Sequence, residues 1–199
     1  MAVIVLAAVV GYLLGSFPSA DLVARIASKG AVDIRRNGSG NPGTLNAARV
    51  LGKWWGVVVF VLDLAKGIAA GLAGFALARD VGAYVGATAA VGGHIFPVWS
   101  RFRGGKGVAT SAGACLAVFP AFFPIDLVAS LFGTLVSRRA ERGTQIACAI
   151  WVTSAALWWA FDWPNLWGPE PGPGLLAFAV VGSGMILWAF ADARRRGAE

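Results

Sequence analysis

Apolar runs that suit lipid recur along almost the whole chain, near residues 2–22, 54–78, 81–99, 107–119, 121–137, 144–162 and 174–191. A crossing helix needs about 20 such residues, since lipid gives the backbone no hydrogen-bonding partner. The pattern predicts an all-α integral membrane protein, a bundle of about seven transmembrane helices in one domain over 1–199. Six is the alternative count. The stretch 107–137, broken at Phe119-Pro120, reads as two short spans or as one re-entrant hairpin. Composition agrees: 57% of the residues are hydrophobic, against about 45–50% in soluble domains. The start, Ala2 to Gly15, lacks a basic flank, and Phe17-Pro18-Ser19 is not a small-x-small cleavage site. It therefore reads as a retained first helix.

Charge sets the orientation. Arg25, Lys29, Arg35, Arg36, Arg49 and Lys53 fall between the first and second runs; Arg101, Arg103 and Lys106 between the third and fourth; Arg138, Arg139 and Arg142 between the fifth and sixth. Arg194, Arg195 and Arg196 follow the last run. Seven spans put all four segments on one side, and basic loops stay cytoplasmic. The N-terminus is then outside and the C-terminus cytoplasmic. The net charge of +7 is explained by this asymmetry and is no sign of nucleic acid. The nine Trp suit membrane interfaces. Cys115 and Cys148 lie in apolar stretches and read as packing residues, too few for a metal cluster.

Two polar, glycine-rich islands interrupt this lipid-adapted pattern, both on the predicted cytoplasmic side. The first is Arg35-Arg36-Asn37-Gly38-Ser39-Gly40-Asn41-Pro42-Gly43-Thr44-Leu45-Asn46, followed by Arg49. The second runs from Gly92-Gly93-His94-Ile95-Phe96-Pro97 to Arg101-Phe102-Arg103-Gly104-Gly105-Lys106-Gly107. Glycines let backbone N–H groups converge on an anion, and nearby Arg or Lys neutralises its charge. The glycines before the fourth run are expected to present unpaired N–H groups at a helix start. Both islands also read as turn-rich anchors at a basic membrane face. The spacing is not that of a Walker A loop. Asp63 and Lys66, three residues apart within the second run, predict an ion pair facing the bundle. His94 is the one histidine, and a lone His in an apolar helix is more often a packing residue than a catalyst.

At these residues the chain resembles a family, the acyl-phosphate-dependent glycerol-3-phosphate acyltransferases (PlsY). Gly38 to Asn46 is similar to its G-S-G-N-x-G-A-T-N block. Gly93 to Val98 with Phe102 to Thr110 is similar to its G-H-x-F-P and F-[KR]-G-G-K-G-V-A-T blocks, and Asp63 to Gly67 to its D-x-x-K-G. The resemblance is specific from about Gly11 to Gly113 and mainly topological beyond. It implies transfer of a fatty acyl group from acyl phosphate to the 1-hydroxyl of glycerol 3-phosphate. The products would be lysophosphatidic acid and phosphate, the first step of phospholipid synthesis. The enzyme would be a multi-pass protein of the plasma or inner membrane with its active site on the cytoplasmic face, needing no cofactor and no metal. Its partners would be acyl phosphate, glycerol 3-phosphate and the bilayer.

The resemblance gives catalytic roles to Ser39, Arg49 and His94. It gives substrate binding to Gly38, Gly40, Asn41, Gly43, Thr44, Asn46, Gly104, Gly105, Lys106 and Gly107. Departures alter about half of the family's polar face. The family's Ala-Thr pair is Thr44-Leu45 here, and its Ser-Leu-x-Ser run is Glu141-Arg142-Gly143-Thr144. The C-terminal block, Ala191 to Glu199, keeps Arg and a Gly-x-Glu but has neither the family's His nor its Asn. These departures define the alternatives: a paralogue acylating another phosphorylated alcohol, or a catalytically silent membrane protein that binds phosphate esters as a scaffold. A transporter is disfavoured by the lack of repeated halves.

Overall fold

Among the described residues, 1–197, the computed structural model has helices and no strand. Ala198-Glu199, the end of the C-terminal Gly-x-Glu similarity, lies outside the described residues. The helix breaks follow proline, glycine and one strained pair. α1 (Ala2–Ser16) stops before Phe17-Pro18, where proline offers no N–H. α2 (Ser19–Ala27) departs from that break, so the first predicted run is two helices. α3 (Thr44–Leu51) ends at Gly52, whose φ of 102° suits glycine.

α4 covers Lys53–Ile95, 43 residues. At 1.5 Å per residue it would be about 64 Å long, twice the ~30 Å of a bilayer core. It is folded into two limbs, 53–77 and 80–95, at Ala78 (φ −144°, ψ 33°) and Arg79 (φ 50°, ψ −140°). α5 (Val108–Val118), α6 (Phe123–Ser137), α7 (Ala140–Ala160) and α8 (Pro173–Arg195) follow. Single 3-10 turns lie at Val98–Ser100 and Pro120–Phe122.

Small residues let these helices touch backbone to backbone, the usual packing mode where lipid supplies no hydrophobic drive. Gly74 faces Gly82, so the two limbs of α4 run antiparallel. Gly11 meets Gly86 and Gly15 meets Ala90, which sets α1 parallel to the second limb. Gly67 abuts Thr110 and Gly71 abuts Ala117, which sets α5 parallel to the first. Gly133 and Gly143 pair α6 with α7. Arg194 to Glu141 (3.3 Å) and Trp151 to Phe178 (ring centroids 4.9 Å) pair α7 with α8. The main core is Tyr84, Val118, Phe119, Phe122, Trp151 and Phe178.

From the first limb of α4 to α8 the chain therefore reverses at each connection. Both islands, the Arg138-Arg139 turn and the end of α8 share one end of the bundle. The Ala78–Arg79 fold, the α5–α6 break and the aromatic loop 161–172 share the other. There Asn165 Nδ2 donates to Val118 O (3.0 Å), Trp167 Nε1 to Leu116 O (3.0 Å) and Tyr84 OH to Glu170 O (3.0 Å). α5 packs chiefly along α4 and α6 on α7, so 107–137 is not a self-packed hairpin. Ala2–Ala27, Lys53–Ser100, Pro120–Ser137 and Pro173–Arg195 are long and apolar enough to cross a membrane. α5, an apolar helix of 11 residues, is shorter than the ~17 residues usual for a crossing.

Candidate functional site

The first island is shaped by a residue at the start of α3. Asn46 is 1% exposed. Its Oδ1 accepts the Ser39 N–H (2.8 Å), and its Nδ2 donates to Ile34 O and Asn37 O (3.0 Å each). Its side chain is therefore engaged in holding the loop, whereas the resemblance implied substrate binding. Gly38 sits against the Asn46 side chain with φ +63°, a position where a Cβ has no room. Ile34 is buried with Val23, Ala47 and Val59, which ties the island to α2, α3 and α4. Ser39 is half-buried, and its Oγ accepts the Asn41 N–H at 3.4 Å. Arg49 is exposed on the last turn of α3.

The second island folds back on the end of α4. Gly104 N–H donates to Ile95 O (2.9 Å) and Gly105 N–H to His94 O (3.2 Å). Two of the glycine N–H groups expected to greet an anion therefore cap helix carbonyls. The glycines serve close approach. A Cβ on Gly104 would meet His94 O and Ile95 O, and one on Gly105 would meet His94 Nε2. Gly107, at φ 83°, opens α5. Lys106 Nζ lies over the Phe190 ring, 4.3 Å from its centroid, an attraction of ring and cation.

Between the islands lies a small cleft walled by Ser16, Arg35, Asp63, Lys66, His94 and Gly104 with Gly105. Its floor is ionic. Lys66 Nζ sits 2.9 Å from Asp63 Oδ1 and donates to Phe17 O (3.1 Å). The two side chains are 7% and 3% exposed, so the pair expected from their spacing is present and faces the bundle. His94 Nδ1 lies 3.0 Å from Thr110 Oγ1 and 3.6 Å from Asp63 Oδ1. Ser16 Oγ is buried on the cleft wall without a hydrogen-bond partner among the described residues. Such an orphaned group marks a place for a polar ligand or water.

Of the residues singled out in the sequence, His94, Gly104 and Gly105 line this cleft together. Ser39, Asn41, Asn46, Arg49 and Lys106 are outside its lining. Thr144 donates its hydroxyl to Ala140 O (2.9 Å) within α7. Sequence reasoning placed Arg35 in the first island but missed Asp21, Ser16 and Thr110 as members of the site. Asp63 and Lys66 carried a signal, helical spacing of opposite charges in an apolar run. Asp21 carried none, and its pairing with Arg35 exists only through the folded path between them.

Residues 5–198 match the family model described as glycerol-3-phosphate acyltransferase. A glycerol-3-phosphate acyltransferase of Exiguobacterium sibiricum is 46% identical over 130 residues, 65% of this chain and 62% of that protein. This match spans less than two thirds of that relative. Another, from Rubrobacter xylanophilus, is 38% identical over 203 residues, covering 98% of this chain and 93% of its own. Among solved structures, the integral membrane glycerol 3-phosphate acyltransferase PlsY in its glycerol 3-phosphate form is similar with a TM-score of 0.77 and 30% identity, covering 97% of this chain and 90% of that one. Its lysophosphatidic acid form gives a TM-score of 0.75 and 29% identity with the same coverage.

Proposed function

Because the chain belongs to the glycerol-3-phosphate acyltransferase family, we propose that it is a membrane acyltransferase using acyl phosphate as donor and the 1-hydroxyl of glycerol 3-phosphate as acceptor. The observation that carries this reading is the cleft between the two glycine-rich islands, with Lys66, His94 and Arg35 on its walls. Its lining is polar, with the Asp63–Lys66 and Asp21–Arg35 pairs, His94 and the Ser16 Oγ unpartnered among the described residues, and suits a small polar substrate more than a lipid tail. The PlsY structures with glycerol 3-phosphate and with lysophosphatidic acid support the same substrates here.

The reaction asks little of the protein beyond positioning and charge neutralisation. The acceptor oxygen attacks the acyl carbon, and the bond from that carbon to the phosphate oxygen breaks. The hydroxyl proton leaves with the departing phosphate, so products are lysophosphatidic acid and inorganic phosphate. Ser39, Arg49 and His94 are the catalytic candidates. The glycines of both islands, with Asn41, Thr44, Asn46 and Lys106, line or shape the substrate path. The bundle crosses the membrane seven times, N-terminus outside and C-terminus cytoplasmic, with the site at the cytoplasmic face of the plasma or inner membrane. The clustering of basic segments at the island end supports that orientation.

The test is phosphate release by the purified protein in lipid, given palmitoyl phosphate with and without glycerol 3-phosphate. Acceptor-dependent release with lysophosphatidic acid formed is the expected result. Ser39→Ala is expected to lower kcat at least about a hundredfold while the protein purifies normally. Wild-type turnover in that variant sinks the assignment of Ser39. No release by the folded wild type sinks the acceptor, and a panel of other phosphorylated alcohols then separates a paralogue from a silent scaffold. The engaged Thr144 hydroxyl and the missing C-terminal His and Asn are the observations favouring a changed acceptor.

A further inference from the structure

The most fully bonded side chain at the island end is the first residue of the first island. Arg35 meets Asp21 of α2 through two parallel contacts, Nε to Oδ1 at 2.6 Å and Nη2 to Oδ2 at 2.7 Å. Its Nη2 also donates to Ser100 Oγ (3.0 Å), and its Nη1 donates to the Arg103 carbonyl. One guanidinium thus joins α2, the first island and both sides of the turn that leads to Gly104 and Gly105.

The turn it grips is strained. Arg101 and Phe102 are consecutive non-glycine residues with φ of 53° and 59°. Left-handed backbone of this kind persists only where surrounding contacts fix it. Gly104 and Gly105 follow after Arg103 and close the cleft wall against His94. α2 is pinned at its start as well, since Lys66 donates to Phe17 O, one residue before Pro18. The ring of contacts then runs from the buried Asp63–Lys66 pair through α2 to Asp21, Arg35, the second island and back to His94.

An arginine beside a glycine-rich loop ordinarily reads as a phosphate ligand. Here its planar fork is engaged by the protein in four hydrogen bonds. An isolated surface ion pair has little worth. A bidentate pair that is a node of a network is the case in which charge contacts fix geometry.

We propose that Asp21 and Arg35 form a latch that sets the separation of the two glycine-rich islands. Asp21 is a positioning residue: it acts through Arg35 and touches no reacting atom. The kinetic consequence rests on the acyltransferase reading above; the geometric one does not.

The test uses the full chain in lipid, with Cys115 and Cys148 replaced by Ala and nitroxide labels at Leu45→Cys and Trp99→Cys, two exposed positions beside the islands. Asp21→Asn is expected to broaden the label-to-label distance distribution and to lower kcat/KM for acceptor-dependent phosphate release at least about tenfold. Asp21→Glu keeps the carboxylate and is expected to restore a narrow distribution and most of the activity. Ser100→Ala is expected to act in the direction of Asp21→Asn, more weakly, and it carries the same readouts if Asp21→Asn does not fold. A distribution unchanged in Asp21→Asn, or no rescue by Asp21→Glu in a folded protein, overturns the latch. A wild type without acyl transfer refutes the activity reading alone, because the distance measurement still decides whether the latch exists.

Discussion

Asp63 and Lys66 are charged residues buried inside the bundle, and each holds the other. A charge inside an apolar bundle persists only with a partner at hydrogen-bonding distance. Lys66 has two partners, the Asp63 carboxylate and the Phe17 carbonyl. Removing one member of such a pair leaves the other uncompensated. Asp63→Asn is expected to destabilise the protein by about 3–5 kcal/mol, read by thermal unfolding in lipid or detergent. The double change Asp63→Leu with Lys66→Met is expected to cost less than the single one, because no charge is left behind. A single variant milder than the double sinks this account. The pair was legible because i, i+3 spacing on a helix brings side chains together by local geometry alone. Asp21 and Arg35 were not, since their meeting depends on how α2, Ile34 and α3 pack. The engagement of Asn46 with the loop, and of the Gly104 and Gly105 N–H groups with α4, was likewise invisible, because a motif gives residue types and not the partners they choose.

At the level of the elements, glycine marks where helices cross. Gly67 lies against the Thr110 carbonyl and Gly113 against Leu64, so α4 and α5 meet through backbone. Backbone neighbours cannot rotate aside. Gly67→Leu is expected to push α5 away and to cost about 1–3 kcal/mol or the fold itself, seen as a lowered melting temperature or loss of monodisperse protein. Gly184→Leu on the exposed face of α8, where a Cβ meets nothing, is the control and is expected to be neutral. A fall as large in the control as at Gly67 removes the argument. Helix positions were largely readable from apolar runs, including the fold of α4 near residue 79. The departure of α2 was not read, although Pro18 was in view. Proline ends a helix, but where the chain goes next is set by burial of Val23 and Ala24 beside Ile34 and Ala47. The pairing of α5 with α4 and of α6 with α7 was also open in the sequence, because short apolar runs carry no record of their neighbours.

For the whole molecule, the alternating direction of the helices gathers the basic segments at one end. The predicted topology puts that end in the cytoplasm. Cysteines introduced at Asn37 and at Trp99 are expected to resist a membrane-impermeant thiol reagent in intact cells and to react after lysis. One at Leu166, in the opposite loop, is expected to react in intact cells. Reaction at Asn37 from outside reverses the orientation and removes the cytoplasmic site. The sequence by itself determined that this chain is helical and lipid-adapted, which runs form helices, and that two glycine-rich islands are its polar chemistry. Those properties follow from composition and from spacing within one helix turn. Only the tertiary structure decided that the islands face one cleft, that its floor is the Asp63–Lys66 pair beside His94, and that Arg35 binds Asp21 and the turn at Ser100. The physical reason is distance along the chain. Contacts between residues 14 to 68 positions apart exist only after small-residue faces have fixed how the helices pack.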